Sequence, residues 1–404
     1  MLNHLSMQPS NPPENPAIPT ARLRWVAWLA WCASRLIMAT SIFNSDVIIY
    51  FNNVQQQGVF AEYGPLANLI IWMPAWVSPT VDPIHYLLGY KTLALMVDGG
   101  IFAALQRRAT LPVVGLYLAA STAMSTFWLD RLDIFVAGFL LLALRPGPQA
   151  FGPAVAAASL IKFPYLGLLA VPLLARRDRA TGQAVVGGVV ALGAGLLLGA
   201  LVLGTRSTLT PWAYHGGRTL QVESLLGSLL MAFNAPLELQ LTTAVDHGAF
   251  HIHGAHEDAI QFAGRLLFVA GVGFTALRLW KIPVPLPHAL TVAVVAYTVF
   301  NPLGSPQYGI PVLALAAATL PWRDAPTRLT WLLLALYGLL AGLGFSRWDV
   351  PAQVQPWLWA TRSGLLLVVW ARLVMDPGAL QGPDGPGFVD GAATPGTTTG
   401  PSST

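Results

Sequence analysis

QAVVGGVVALGAGLLLGALVLG, residues 183–204, contains no charged side chain and no proline. The hydrocarbon core of a bilayer takes roughly 20 apolar residues of α-helix, with a range of about 17–25. The stretch therefore reads as a membrane span. Leu329–Ser346 is equally free of charge. Outward from these two, further apolar segments run at 24–43, 86–105, 111–128, 131–146, 150–162, 163–175, 259–280, 286–301, 308–321 and 355–374. The composition agrees: 54% of the 404 residues are hydrophobic and 10% are charged, against about 25% charged in a typical soluble domain. The expectation is an all-α polytopic membrane protein with about 10–12 transmembrane helices.

The ends differ from the middle. Residues 1–20 hold five prolines and no lysine or arginine, and 376–404 are rich in Pro, Gly and Thr, so 1–21 and 376–404 are expected to be disordered flanks of a transmembrane domain at 22–375. The first apolar run follows Arg22 and Arg24 and lacks a small-residue cleavage site, so it reads as a retained span. Segment 64–78 contains Pro65 and Pro74 and reads as an interrupted, interfacial element. Segments 150–162 and 163–175 are short and read as a hairpin with Lys162 and Pro164 near its outer turn. The single cysteine, Cys32, excludes an internal disulfide.

Alternating sides from a cytoplasmic N-terminus places 13 of the 22 basic residues inside, among them Arg107, Arg108, Arg176, Arg177, Arg278, Lys281, Arg328 and Arg372. That bias follows the positive-inside rule. The same alternation sends large loops at 44–85 and 205–258 outside, with the turns at 128–133, at Lys162 and at 301–308. Arg35, Lys91, Arg265 and Arg362 then lie in the outer halves of spans. Charges there are costly, so they suggest a shared polar cavity open to the outside; snorkelling to the nearer interface is the simpler alternative for Arg362 and Arg265. The basic residues form no stripe of the kind that binds nucleic acid.

Four short patterns fall on this outer face. Asp46 follows the first span, with Tyr50, Gly58, Glu62-Tyr63-Gly64-Pro65-Leu66 after it. Ser159-Leu-Ile-Lys162-Phe-Pro164, His215-Gly-Gly-Arg218-Thr-Leu-Gln221-Val-Glu223-Ser224 and Ser305-Pro306-Gln307-Tyr308 follow in order. Together they resemble the GT-C glycosyltransferases, most closely the polyprenol-phosphate-dependent mannosyltransferase-like group, glycosyltransferase family 87. The resemblance spans residues 24 to about 320. It implies a GT-C fold and an inverting hexosyl transfer, mannose favoured, from a polyprenyl-phosphate sugar donor to a lipid-linked or glycan acceptor at the plasma membrane. It also implies Asp46 as the catalytic base, and no cofactor or metal.

The chemistry matches those residue types. A lipid phosphate leaves readily if cations stabilise it, a role open to Lys162, Arg218 and Arg35. Glu223, Gln307, Tyr308, Tyr50 and Tyr63 complete the expected substrate site. One carboxylate suffices to take the acceptor's proton, because single displacement needs no paired-carboxylate geometry. Other roles stay open for several of these groups. Asp46 also suits an N-cap after Asn44 and Ser45, and Glu223 also suits a local pair with Arg218. Asp130, Arg131 and Asp133 suit either the site or a local salt-bridge cluster. Asp98 suits either function or a helix–helix hydrogen bond. His247, His251, His253 and His256 lie near Asp246, Glu257 and Asp258, but at no zinc-motif spacing. Tryptophans at span ends, Trp25, Trp28, Trp31, Trp76, Trp128, Trp212 and Trp348 among them, read as interfacial anchors. A secondary transporter or flippase is the competing reading, but no internal repeat of the kind transporters carry is evident.

Overall fold

The computed structural model describes residues 21–40, 46–56, 58–77, 82–145, 147–175, 179–246, 249–282, 284–345 and 354–375. Of the terminal segments expected to be disordered, 1–20 and 376–404 lie outside these residues, while Ala21 opens the first helix; Asn44, Ser45, Arg176, Arg177, His247 and Trp348 lie outside them too. The chain is nearly all helix. Its first half runs α1 (Ala21–Thr40), α2 (Asp46–Gln55), α3 (Pro65–Val77), α4 (Pro83–Arg108), α5 (Leu111–Ala123), α6 (Ser125–Trp128), α7 (Asp133–Leu142) and α8 (Pro148–Ile161). A 3-10 segment (Phe163–Ala170) leads into α9 (Val171–Ala175) and then α10 (Arg179–Leu203). The long loop expected at 205–258 is itself folded, into α11 (Thr205–Gly216), α12 (Leu225–Phe233) and an antiparallel hairpin of β1 (Thr242–Asp246) and β2 (Ala249–His253). The chain closes with α13 (Glu257–Lys281), α14 (Leu286–Phe300), α15 (Gly309–Thr319), α16 (Ala325–Phe345) and α17 (Gln355–Met375).

Five of these helices are long and apolar enough to cross a membrane: α4, α10, α13, α16 and α17. Six further apolar stretches, among them α3, α5, α7 and α14, run 10–17 residues. At 1.5 Å rise per residue those are too short to cross a roughly 30 Å core alone. The expected 10–12 crossings are therefore matched only in part. Helices α14 and α15 are buried along almost their whole length and form the centre of the core. The outer faces of α10 and α13 expose Val186, Val190, Leu201, Phe262 and Val269 instead. Apolar all round but open on one side is the pattern of a helix facing lipid.

One local feature departs from the sequence reading. Pro65–Val77, in the segment read as interrupted, is one continuous helix, α3, packed against α4 and α8. Pro65 occupies its first position, where no backbone donor is needed, and Pro74 is absorbed inside it. Helices α8 and α10 touch backbone to backbone, since a Cβ on Gly152 would lie 1.9 Å from the Ala184 carbonyl oxygen.

The long helices share a direction of charge. Arg278 near the end of α13 donates to the Val374 and Met375 carbonyls at the end of α17. Arg372 of α17 donates to the Pro326 carbonyl and Thr330 hydroxyl at the start of α16. The opposite ends of the same two helices, at Gly344, Gln355 and Trp359, line a large cavity. Helices of 21 residues separate the two ends by about 30 Å.

Candidate active site

The cavity has a volume of about 700 Å³, within the range of ordinary ligand sites. Its wall is built from α2, the 59–63 loop, Arg131, the 214–223 segment, β2, the 305–308 turn and the ends of α16 and α17. Local chemistry fixes each piece. The Asn68 side chain shapes the 60–64 loop: its oxygen accepts from the Phe60 amide at 2.8 Å and its nitrogen donates to the Tyr63 and Gly64 carbonyls. The Gly64 amide donates to the Ile161 carbonyl at 3.0 Å. A Cβ on Gly64 would fall 2.2 Å from the Leu160 carbonyl oxygen, so only glycine lets the loop press on the Lys162 turn. Residues 220–222 add to the edge of the hairpin through Val222 N–H to Phe250 O and Ile252 N–H to Leu220 O. Ser224 then caps α12 by accepting from the Gly227 amide.

Eight of the residues singled out in the sequence line this cavity: Asp46, Tyr50, Tyr63, Arg131, Arg218, Glu223, Gln307 and Tyr308. Asp46 opens α2 and pairs with Arg131. The Tyr50 and Tyr63 hydroxyls stand 3.4 Å apart. Arg218 reaches the Glu62 carboxylate at 3.2 Å and lies over the Tyr214 ring at 5.3 Å; with the Gln221 amide turned to satisfy its neighbours, the Gln221 oxygen accepts from Arg218 at 2.6 Å. The turn that carries Gln307 is pinned from behind, where the Tyr337 hydroxyl donates to the Pro306 carbonyl. Lys162 is buried and is not among the residues of the cavity wall; its Nζ lies 4.8 Å from the Tyr308 ring centre and 6.0 Å from that of Tyr63.

Several expected placements are corrected. Arg35, Lys91, Arg265 and Arg362 do not share a cavity. Arg35 is buried against Asp98, Lys91 against Asp130, and Arg265 is exposed. Arg362 is buried too: it donates to the Glu223 carbonyl at 2.6 Å and stands 3.8 Å from its carboxylate. The local Glu223–Arg218 pair therefore does not form, since each has a partner from another element. Asp130, Arg131 and Asp133 each take an ion-pair partner from another element. They reach Lys91, Asp46 and Lys162 respectively, the last at 2.7 Å. Trp31 and Trp128 are not interfacial anchors; both indoles donate to Asp98. Trp25, Trp76 and Trp212 do lie exposed.

The sequence reading assigned no role to Glu62, Asn53, Phe60, Tyr214, Gln221 or Trp359, all on the cavity wall. Glu62 carried the clearest signal, an acid directly before the Tyr63-Gly64-Pro65 turn. Burial raises the Glu223 carboxyl above the usual range, with Arg362 and Arg131 acting against it. Burial also pushes His215 down to about 4, helped by Arg218. Its Nε2 is bonded to the Glu62 carbonyl oxygen at 3.1 Å, so the neutral ring donates there. On the hairpin side, His253 pairs with Glu257 and His251 with Thr219. Among the described residues no group of three or more His, Cys, Asp or Glu side chains could hold a metal ion.

The wall thus offers carboxylates, guanidinium groups and aromatic rings around one space large enough for a sugar and a phosphate. Searches for similar proteins add nothing to this picture: no family model, no curated protein and no solved structure matches the chain.

Proposed function

We propose that the chain is an inverting membrane glycosyltransferase. It moves a hexose, mannose by the motif resemblance, from a polyprenyl-phosphate donor to a lipid-linked or glycan acceptor. The observation that carries this reading is the cavity wall. Asp46, Glu62 and Glu223 line one space together with Arg131, Arg218 and several tyrosines. Such a wall suits a ligand with hydroxyls, a ring face and one phosphate.

In the proposed reaction the acceptor hydroxyl attacks the anomeric carbon from the face opposite the phosphate. Its proton passes to Asp46, and the carbon–oxygen bond to phosphate breaks. Arg218 and Arg131 balance the charge that develops on the leaving phosphate. Lys162 and Arg35, expected to share this task, are held by Asp133 and Asp98. Lys162 then supports the site through the Tyr308 ring, and Arg35 stands outside it.

The proposed orientation puts the cavity on the extracytoplasmic face of the plasma membrane and both termini in the cytoplasm. It is supported by the basic residues gathered at the far ends of α4, α13, α16 and α17. In this reading the five long helices and the shorter apolar ones together make the 10–12 crossings. The test is transfer of labelled hexose from a short-chain polyprenyl phosphate by the purified protein, with the product's anomeric configuration read by NMR. Retained configuration, or no transfer to any lipid or glycan acceptor tried, would count against the proposal. Labelling of a cysteine at 307 from the cytoplasmic side would reverse the orientation.

A further inference from the structure

Each acid on the cavity wall has a cation near it, and for Asp46 this raises a chemical problem. Asp46 and Arg131 form an ion pair with side chains only 14% and 18% exposed. A carboxylate gripped by a guanidinium is a poor proton acceptor. Arg131 also acts on Asp133 and Glu223, but each of those acids has a second cation. Asp133 has Lys162 at 2.7 Å, and Glu223 has Arg362 at 3.8 Å. Arg131 could therefore leave Asp46 without stripping those acids of their counter-charge. It also comes from a turn that ends directly on α7, so a small side-chain rotation needs no helix movement.

We propose that Arg131 changes partner during the reaction: the phosphodiester of the lipid donor draws the guanidinium off Asp46, and the released carboxylate becomes the base. This rests on the glycosyltransferase reading above. The donor's phosphate carries one negative charge when bound and two after the sugar has left, so Arg131 holds it more tightly as the bond breaks. The acceptor's oxygen–hydrogen bond breaks toward Asp46. Its oxygen bonds the anomeric carbon, and the electrons of the old carbon–oxygen bond stay with the phosphate. The exchange makes the order of binding donor first. It also keeps Asp46 masked while the cavity is empty.

The sign of one effect separates this device from a static ion pair. Removing the charge of Asp46 should tighten phosphate binding, because the carboxylate ion-paired with Arg131 no longer competes for it. Farnesyl phosphate, without sugar, and inorganic phosphate serve as probes, titrated calorimetrically into the purified full chain. Asp46→Asn should bind farnesyl phosphate about tenfold more tightly than the natural protein, the size of one partly screened ion pair. Arg131→Gln should bind it at least tenfold more weakly, and the double variant should match Arg131→Gln. Asp46→Ser gives the same reading if Asp46→Asn does not fold. Tightening seen with farnesyl phosphate alone supports the exchange and assigns it to a lipid headgroup; tightening with both probes supports it for phosphate in general. Equal or weaker binding by both Asp46 variants overturns it, as does failure of every form to bind either probe. If the natural protein transfers hexose but Asp46→Asn binds no tighter, the exchange alone fails. If the binding pattern holds but no hexose moves, the transferase reading alone fails.

Discussion

Two sets of buried ion pairs lie close together in this bundle and are built on opposite plans. Around Asp98 every need is met. Its oxygens accept from Trp31 and Arg35 at 2.7 Å, from Trp128 at 3.0 Å and from Tyr117 at 3.2 Å. Arg35 also donates to Ser121 and lies near the Trp31 and Trp128 rings. Both charges are almost fully hidden, at 2% and 0% exposure. On the cavity wall the pairs are thinner: Asp46 with Arg131, Glu62 with Arg218, and Glu223 with Arg362 at 3.8 Å. A saturated buried pair locks helices together. An open-sided pair keeps bonding capacity for something else.

The widest gap between the two sets should appear on removing Asp46. Asp46→Asn should lower hexose transfer by about 10²–10⁴-fold, the usual worth of a general base, while leaving thermal stability nearly unchanged. Unchanged transfer would erase the distinction. Asp98→Ala should do the reverse. It strands Arg35 in the interior and should cost about 3–5 kcal/mol of stability. Replacing both partners, Asp98→Leu with Arg35→Met, should recover much of that loss in a thermal unfolding series. A recovery of nothing would mean that the network does more than hold α1, α4 and α5 together.

Gly64→Ala probes the border between the two regions. Its methyl group would collide with the Leu160 backbone, so a loss of about 1–3 kcal/mol is expected. Transfer should fall too, because the shifted loop carries Glu62 and Tyr63. Wild-type unfolding and transfer by this variant would move the cavity's rigidity elsewhere. The smallest effect concerns His215. Its folded-state pKa is depressed to about 4, below its ordinary value near 6.5. The unfolded chain therefore binds the extra proton more readily. The stability that depends on neutral His215 is fully present above about pH 6.5 and is lost as pH falls toward 4. Melting curves across that window should show a fall of a few degrees, and His215→Gln should flatten it.

Much of the helical layout was legible in the sequence because bilayer thickness sets the length of an apolar run. Segments read at 86–105, 259–280 and 355–374 return as α4, α13 and α17. The fold of residues 205–258 was not legible. Its hairpin is only five residues a strand and takes its third neighbour from 220–222, a pairing no local pattern announces. Asp46, Arg218, Gln307 and Tyr308 could be singled out because charged and polar residues stand out against an apolar chain. Their partners could not. Glu223 meets Arg362 from 139 positions away, and Arg218 meets Glu62 across 156. Sequence proximity suggested Glu223 with Arg218, and tertiary packing decided otherwise. The same holds for Trp128, whose place at a span end resembled an anchor until Asp98 was found beside its indole nitrogen.

The short turn from Trp128 to Asp133 has one more consequence. Within six positions it sends an indole to α4's Asp98, a carboxylate to Lys91, a guanidinium to Asp46 and a second carboxylate to Lys162. Three separate elements, α4 at two points, α2 and the turn after α8, are thus wired through one connector with no slack. Inserting or deleting a single residue there would put every wire out of register at once. Insertion scanning of this chain should therefore find its least forgiving loop to be one of its shortest.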